Sequence, residues 1–164
     1  MVNMESWFDM KLFCLLFFIM LLPAASIFAQ TEYEGSPPST PEEQRELGLM
    51  YVGKSDELAF RWLEKAANQG DVIAQNNVAA MYSKGIWVKK DLQKSLHWFT
   101  LAANSKSNDK GPVSFAQFAV GHMYLNGQGV RQDAVKAKSY FGLACDNGMQ
   151  DGCDAYKELN QQGY

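Results

Sequence analysis

Residues 116–148 read AQFAVGHMYLNGQGVRQDAVKAKSYFGLACDNG, and residues 74–104, AQNNVAAMYSKGIWVKKDLQKSLHWFTLAAN, carry the same pattern 42 positions earlier. Gly121 answers Ala79, Tyr124 answers Tyr82, and Asp133 answers Asp91. Tyr140 and Ala144 answer Trp98 and Ala102. A third version precedes these, with Gly48, Tyr51, Ser55, Trp62 and Ala66; its Trp62 lies 36 positions before Trp98. Self-similarity at this period marks a chain built by stacking one supersecondary unit. Such stacks mostly bind other proteins and carry little chemistry of their own.

Each unit reads as a pair of helices. Pro41 fits the start of a first helix over 42–51, with Glu42 and Glu43 in the turn where acidic residues favour the dipole. Ser55, Asp71, Asp91 and Asp133 are N-cap residues for the helices that follow them, because their side chains can accept from the free N–H groups of a first turn. Gly70, Gly85, Gly127 and Gly148 stop the preceding helices. The resulting spans are 42–51, 55–69, 71–84, 91–104, 114–126, 133–147 and 151–161. No segment alternates apolar and polar residues as a half-buried strand does, so the chain is expected to be all-α.

The units are not identical. Tyr51 and Trp62 stand 11 apart, against 16 for Tyr82–Trp98 and Tyr124–Tyr140, so the first unit has a turn five residues shorter. The second unit carries six extra residues after Asn104, within the polar stretch SKSNDKGPV, which is expected to bulge from the stack. Gly48, Ala79 and Gly121 fall on one helix of each pair, and Ala66, Ala102 and Ala144 on the other. Side chains this small let helix backbones approach. Trp62, Trp98 and Tyr140, one turn earlier, are expected to fill the space beside those contacts.

The N-terminal segment is set apart from this pattern. Lys11 precedes the apolar run LFCLLFFIMLL at 12–22, and Pro23 and the small residues up to Ala29 follow. This is the layout of a secretory signal peptide over 1–29, cut after Ala29. The run is short for a membrane span of about 20 residues. Residues 30–41, QTEYEGSPPSTP, read as a flexible linker, and 42–162 as the repeat domain. Without 1–29 the chain holds 14 basic and 16 acidic residues. That balance offers no basic stripe for a nucleic acid. Two cysteines then remain, Cys145 and Cys153. An even count suits a disulfide in an oxidising compartment, and the other reading is two small unpaired core residues.

These residues resemble the Sel1-like repeats, cousins of the tetratricopeptide repeat. The third unit carries the resemblance at Ala116, Gly121, Tyr124, Gly127, Gly129, Val130, Asp133, Lys136, Ala137, Tyr140 and Ala144. The second carries it at Ala74, Ala79, Tyr82, Gly85, Val88, Asp91, Lys94, Trp98 and Ala102, and the first at Leu47, Gly48, Tyr51, Ala59, Trp62, Ala66 and Gly70. The resemblance implies a right-handed α/α superhelical solenoid of about three helix pairs plus a C-terminal capping helix. It also implies that Cys145 and Cys153, eight apart, bridge consecutive helices as in cysteine-containing secreted members. The implied role is that of an adaptor or partner-binding module. A narrower form is an immunity protein neutralising a secreted antibacterial effector such as a lipase. A further form is the β-lactam binding or weak hydrolysis described for some cysteine-rich relatives, although this chain lacks a Ser-x-x-Lys motif.

Four residues stand out as candidate partner contacts. By analogy with the family, the first helix of each pair lines the concave face, which places Ala80, Phe118 and His122 there. Trp87 is a departure: it stands where the third unit has the turn glycine Gly129. Either it folds back on the short first unit, or it anchors a partner, since tryptophan is enriched at binding hot spots. Chemistry has few other candidates. His97 and His122 have no metal-ligand spacing, Gly127–Gly129 follows a helix where a phosphate loop follows a strand, and no cofactor is called for. The partner is expected to be another protein and not a nucleic acid, with membrane attachment only if 1–29 stays uncleaved. The location is expected to be periplasmic or secreted.

Overall fold

The structure is a computed structural model that describes residues 37–164. The expected signal peptide and most of the expected linker lie outside these residues. Seven helices follow one another among the described residues: α1 (Pro41–Tyr51), α2 (Asp56–Asn68), α3 (Val72–Lys84), α4 (Leu92–Ala103), α5 (Lys110–Asn126), α6 (Ala134–Asp146) and α7 (Gln150–Gln161). Each packs on the next, pairing α1 with α2, α3 with α4 and α5 with α6, and α7 closes the end. Across pairs, α3 also touches α5 and α5 touches α7, while α2, α4 and α6 make no contacts of that extent with one another. Helices α3, α5 and α7 therefore form the inner layer of an all-α solenoid, and α1 holds the same place in the repeat.

Capping follows the expected residues. Ser55, Asp71, Asp91 and Asp133 accept from first-turn N–H groups, and Gly85 and Gly127 end α3 and α5 in the left-handed region. The folded unit reaches back to Pro38, beyond the expected boundary at residue 42. Thr40 and Glu43 form a reciprocal capping box at α1. The backbone N–H groups of Ser39 and Thr40 hold the Glu43 carboxyl below its ordinary pKa.

The insertion after Asn104 is only partly a loop. Helix α5 starts at Lys110, a turn before the expected Ser114, with Asp109 as its cap. Pro112 falls in the first turn, where its missing N–H has no intrahelical partner to lose. The extra turn is anchored: Val113 is buried, and Asn76 Nδ2 donates to the Pro112 carbonyl at 2.9 Å.

Two seams hold the stack together. Within each pair a small residue faces a large one. A Cβ on Gly48 would lie 2.8 Å from Leu63 Cγ, and one on Gly121 would lie 2.6 Å from Phe141 Cε1. In the middle pair Ala79 and Phe99 share one core cluster. Between pairs small meets small. Ala66 and Ala74 share a cluster, Ala102 and Ala116 share the next, and a Cβ on Gly152 would lie 2.8 Å from that of Ala144. The five alanines of this second seam have no exposed surface.

This corrects the expected role of the repeating aromatics. The side chains that fill the space opposite the small residues are Leu63, Phe99 and Phe141, one position after Trp62, Trp98 and Tyr140. The aromatics themselves are half-buried. Trp98 packs on two adjacent clusters, and Tyr140 stacks on Tyr124 with ring centroids 5.8 Å apart. Burial, together with Tyr124, raises the Tyr140 hydroxyl above its ordinary pKa.

The seams make two expectations concrete. Ala102→Leu has no room and is expected to destabilise by about 1–3 kcal/mol, read as a lowered midpoint in thermal unfolding. Ser95 stands where the other pairs have Ala59 and Ala137, and its hydroxyl is buried without a hydrogen-bond partner. Ser95→Ala is expected to stabilise by about 1 kcal/mol in urea unfolding, because it removes an unsatisfied polar atom.

Candidate functional site

The inner helices present one row of matching positions. Leu49 on α1, Ala80 on α3 and His122 on α5 each follow the small residue of the first seam by one position. Leu49 and His122 are exposed and Ala80 is half-buried. The inward neighbours Gly48, Ala79 and Gly121 fix this row: with them turned into the seam, the next residue lies about 100° further round its helix. Leu49 carries no signal of its own in the sequence; only its place after Gly48 puts it on this row.

Phe118 lies one turn before His122 on α5 and is half-buried. Its ring meets the His122 imidazole edge-on at 4.5 Å, and both rings meet Phe141 at 5.5 and 5.2 Å. Phe118 is therefore partly a core residue that packs on the cluster of Ala137, Phe141 and Leu159. It supports His122 from beneath and leaves the imidazole as the accessible part.

Trp87 lies apart from this row, on the turn between α3 and α4. Its side chain is 54% exposed and belongs to no core cluster of the described residues. Its φ of 62° makes it the one non-glycine residue in the left-handed region among the described residues. Gly129, its counterpart, has a φ of 72° and a second reason to be glycine: a Cβ there would run into the Leu92 carbonyl. A side chain held in that region costs about 1–3 kcal/mol. Trp87 is thus an exposed side chain on a strained turn.

The cysteines occupy a position that recurs in every pair. Gln75 Nε2 donates to the Ala67 carbonyl at 3.1 Å, and Gln117 Nε2 donates to the Ala103 carbonyl at 3.2 Å. Each amide reaches from the start of a first helix to a carbonyl in the last turn of the previous helix; the Ala67 carbonyl also accepts from the Gly70 N–H at 3.0 Å. At the next recurrence Ala67 and Ala103 become Cys145, and Gln75 and Gln117 become Cys153. The two sulfurs are bonded, with Cα atoms 4.5 Å apart. The disulfide replaces a hydrogen bond at the joint between α6 and α7. Gln44, at the same position in α1, donates to the Pro38 carbonyl at 3.2 Å.

The other end of these amides explains an unsatisfied atom. Gln69 donates to Gln44 Oε1 at 2.7 Å, and Asn147 donates to Gln117 Oε1 at 2.9 Å. The matching residue in the middle unit is Ser105, too short to reach, and Gln75 Oε1 is buried without a partner.

Catalytic groups do not converge. Ser114 Oγ donates to the Gly111 carbonyl and Ser139 Oγ to the Val135 carbonyl, so both hydroxyls are engaged within their own helices. His97 meets only the Trp98 ring among the described aromatic contacts. Among the described residues no group of histidine, cysteine and acidic side chains could hold a metal ion, and no helix is long and apolar enough to cross a membrane.

Comparison with known proteins agrees with this geometry. The Sel1 repeat model matches residues 45–71, 72–107 and 114–149. The chain belongs to the Sel1 repeat family. A Sel1 repeat protein from Oxalobacter formigenes has a solved structure with a TM-score of 0.64 at 30% identity, over 72% of this chain and 88% of that one. The structure of c5321, described as a protective antigen present in uropathogenic Escherichia coli strains and displaying this fold, gives 0.65 at 31% identity, over 76% of this chain and 26% of that one. Among curated proteins, the Sel1-repeat-containing protein YjcO of Escherichia coli K12 is 27% identical over 66% of this chain and 48% of its own length. A sel1-like repeat protein of Acanthamoeba polyphaga mimivirus, L21, is 31% identical, and the match spans 14% of its length. Helicobacter pylori cysteine rich protein B shares the fold, with a TM-score of 0.54 at 20% identity.

The disulfide and the glutamine ladder can be tested together. Replacing both cysteines, Cys145→Ala with Cys153→Ala, is expected to lower stability by about 2–3 kcal/mol. Cys145→Ala with Cys153→Gln rebuilds the pair used at the other joints and should recover about 1 kcal/mol of that loss. Equal unfolding midpoints for the two double variants would show that the positions are not interchangeable.

Proposed function

We propose that this chain is an exported adaptor that binds one protein partner along its inner helices, with Leu49, Ala80 and His122 as the contact row. Sel1 repeats generally mediate protein–protein contacts. The observation that carries the reading for this chain is the register of that row: one accessible side chain per pair, each beside a seam residue that fixes where its helix lies. A rigid line of contacts presented at repeat spacing suits an extended or helical segment of a partner. The hydroxyls of Ser114 and Ser139 are engaged within their own helices, which favours binding over turnover at those residues.

Export is supported by the signal-like segment at 1–29 and by the disulfide, which persists in oxidising compartments. The periplasm is the location this reading favours.

The test is recovery of a stoichiometric partner with the tagged full-length chain from its own host. Ala80→Arg puts a long charged side chain in the middle of the row and is expected to reduce recovered partner about tenfold at an unchanged unfolding midpoint. Undiminished recovery would remove the inner helices from the interface.

A further inference from the structure

The second and third units build the same turn from different residues. In both, two backbone N–H groups close on one carbonyl: Gly85 and Ile86 on Met81, and Gly127 and Gln128 on Met123. In both, the following aspartate N–H returns to a tyrosine carbonyl at 2.9 Å, Asp91 to Tyr82 and Asp133 to Tyr124. The third unit makes this turn with Gln128, Gly129 and Gln132, and Gln132 Nε2 ties back to the Leu125 carbonyl at 2.7 Å. The second unit has Ile86, Trp87 and Lys90 at those places. A polar, tied turn has become an apolar tip with an added charge. The backbone does not require the change, since glycine builds the same turn without strain.

The surroundings of the tip carry one sign of charge. Residues 84–94, KGIWVKKDLQK, hold four lysines and one aspartate, in a chain of formal net charge −3. Lys84, Lys89, Lys90 and Lys94 are exposed, and none forms a salt bridge among the described residues. Asp91 is occupied as the cap of α4, accepting from the backbone of Gln93 and Lys94. In the third unit the counterpart Lys136 stands 3.9 Å from the Asp133 carboxylate. The residues that follow Trp87 line a hollow of about 510 Å³, formed by Tyr82, Val88, Lys89, Lys90, Asp91 and Lys94. Tyr82 is braced from below by Phe60, with ring centroids 5.7 Å apart, and Lys94 Nζ stands 5.2 Å from the Tyr82 ring.

We propose that Ile86, Trp87 and the lysine-rimmed hollow form a second docking site, which takes an acidic segment of a partner protein. Trp87 covers an apolar side chain of that segment, and Lys89, Lys90 and Lys94 meet its carboxylates. The proposal rests on the reading of the chain as a protein-binding module and adds the chemistry of the partner. Charge complementarity selects an acidic occupant. The hollow selects a segment with side chains to insert over a flat anionic lipid surface, which would meet the tip alone. The strained tryptophan is retained because its exposed face is used.

The experiment uses the full-length chain and three probes: a labelled peptide of alternating glutamate and leucine, its glutamine counterpart, and phosphatidylcholine vesicles containing phosphatidylglycerol. The acidic peptide is expected to bind, to weaken with added salt, and to lose at least about tenfold in affinity when its glutamates become glutamines. Trp87→Gly and the double variant Lys89→Glu with Lys90→Glu are each expected to lose a similar factor. Trp87→Gly should keep or raise the unfolding midpoint, because it relieves the left-handed strain. Ala80→Arg should leave peptide binding intact, which separates failure at this site from failure of the inner row. Binding that survives both tip variants, capture by vesicles without capture by the acidic peptide, or a Trp87→Gly protein that melts well below the wild type would each overturn the proposal.

Discussion

Helix backbones approach this closely only where one of them presents almost no side chain. In this chain that constraint acts twice per repeat, through glycine or alanine against Leu63, Phe99 or Phe141 inside a pair, and through alanine or glycine on both sides between pairs. The other features follow from it. Close approach brings the start of one helix within side-chain reach of the end of the previous one, which lets Gln75 and Gln117 donate to the last-turn carbonyls of Ala67 and Ala103. The same proximity lets Cys145 and Cys153 bond across the last joint.

Repetition also makes deviations interpretable, because each position has internal counterparts. Ser95 among alanines leaves a buried hydroxyl unpaired, and Ser105 among longer amide side chains leaves Gln75 half-satisfied. Both fall in the middle unit, which also carries the six-residue insertion that α5 partly absorbs as an extra turn. Trp87 falls in that unit too. The two defects of that unit are buried and polar, whereas Trp87 is exposed and apolar.

The helices, their caps and the order of the pairs were legible in the sequence because they depend on local chemistry: an acceptor before a first turn, a glycine after a last one, and a fixed period. The start of α5 was not legible. Lys110 to Val113 look like loop residues, and only burial of Val113 and the Asn76 contact to Pro112 draw them into the helix. The tryptophan and tyrosine signature misdirected the reading of the seam. A large aromatic is more conspicuous than the leucine or phenylalanine beside it, and one residue along a helix turns the side chain by about 100°.

The sequence by itself determined the repeat, the all-α class and the residues small enough to form seams, since these rest on periodicity and side-chain volume. Tertiary structure alone decided which neighbour of each aromatic enters the seam, that Phe118 is half committed to the core, and that Trp87 stands outward with its backbone in the left-handed region. Those outcomes depend on how one helix is rotated against the next. That rotation is set by the sum of many contacts across pairs, which no single stretch of chain contains.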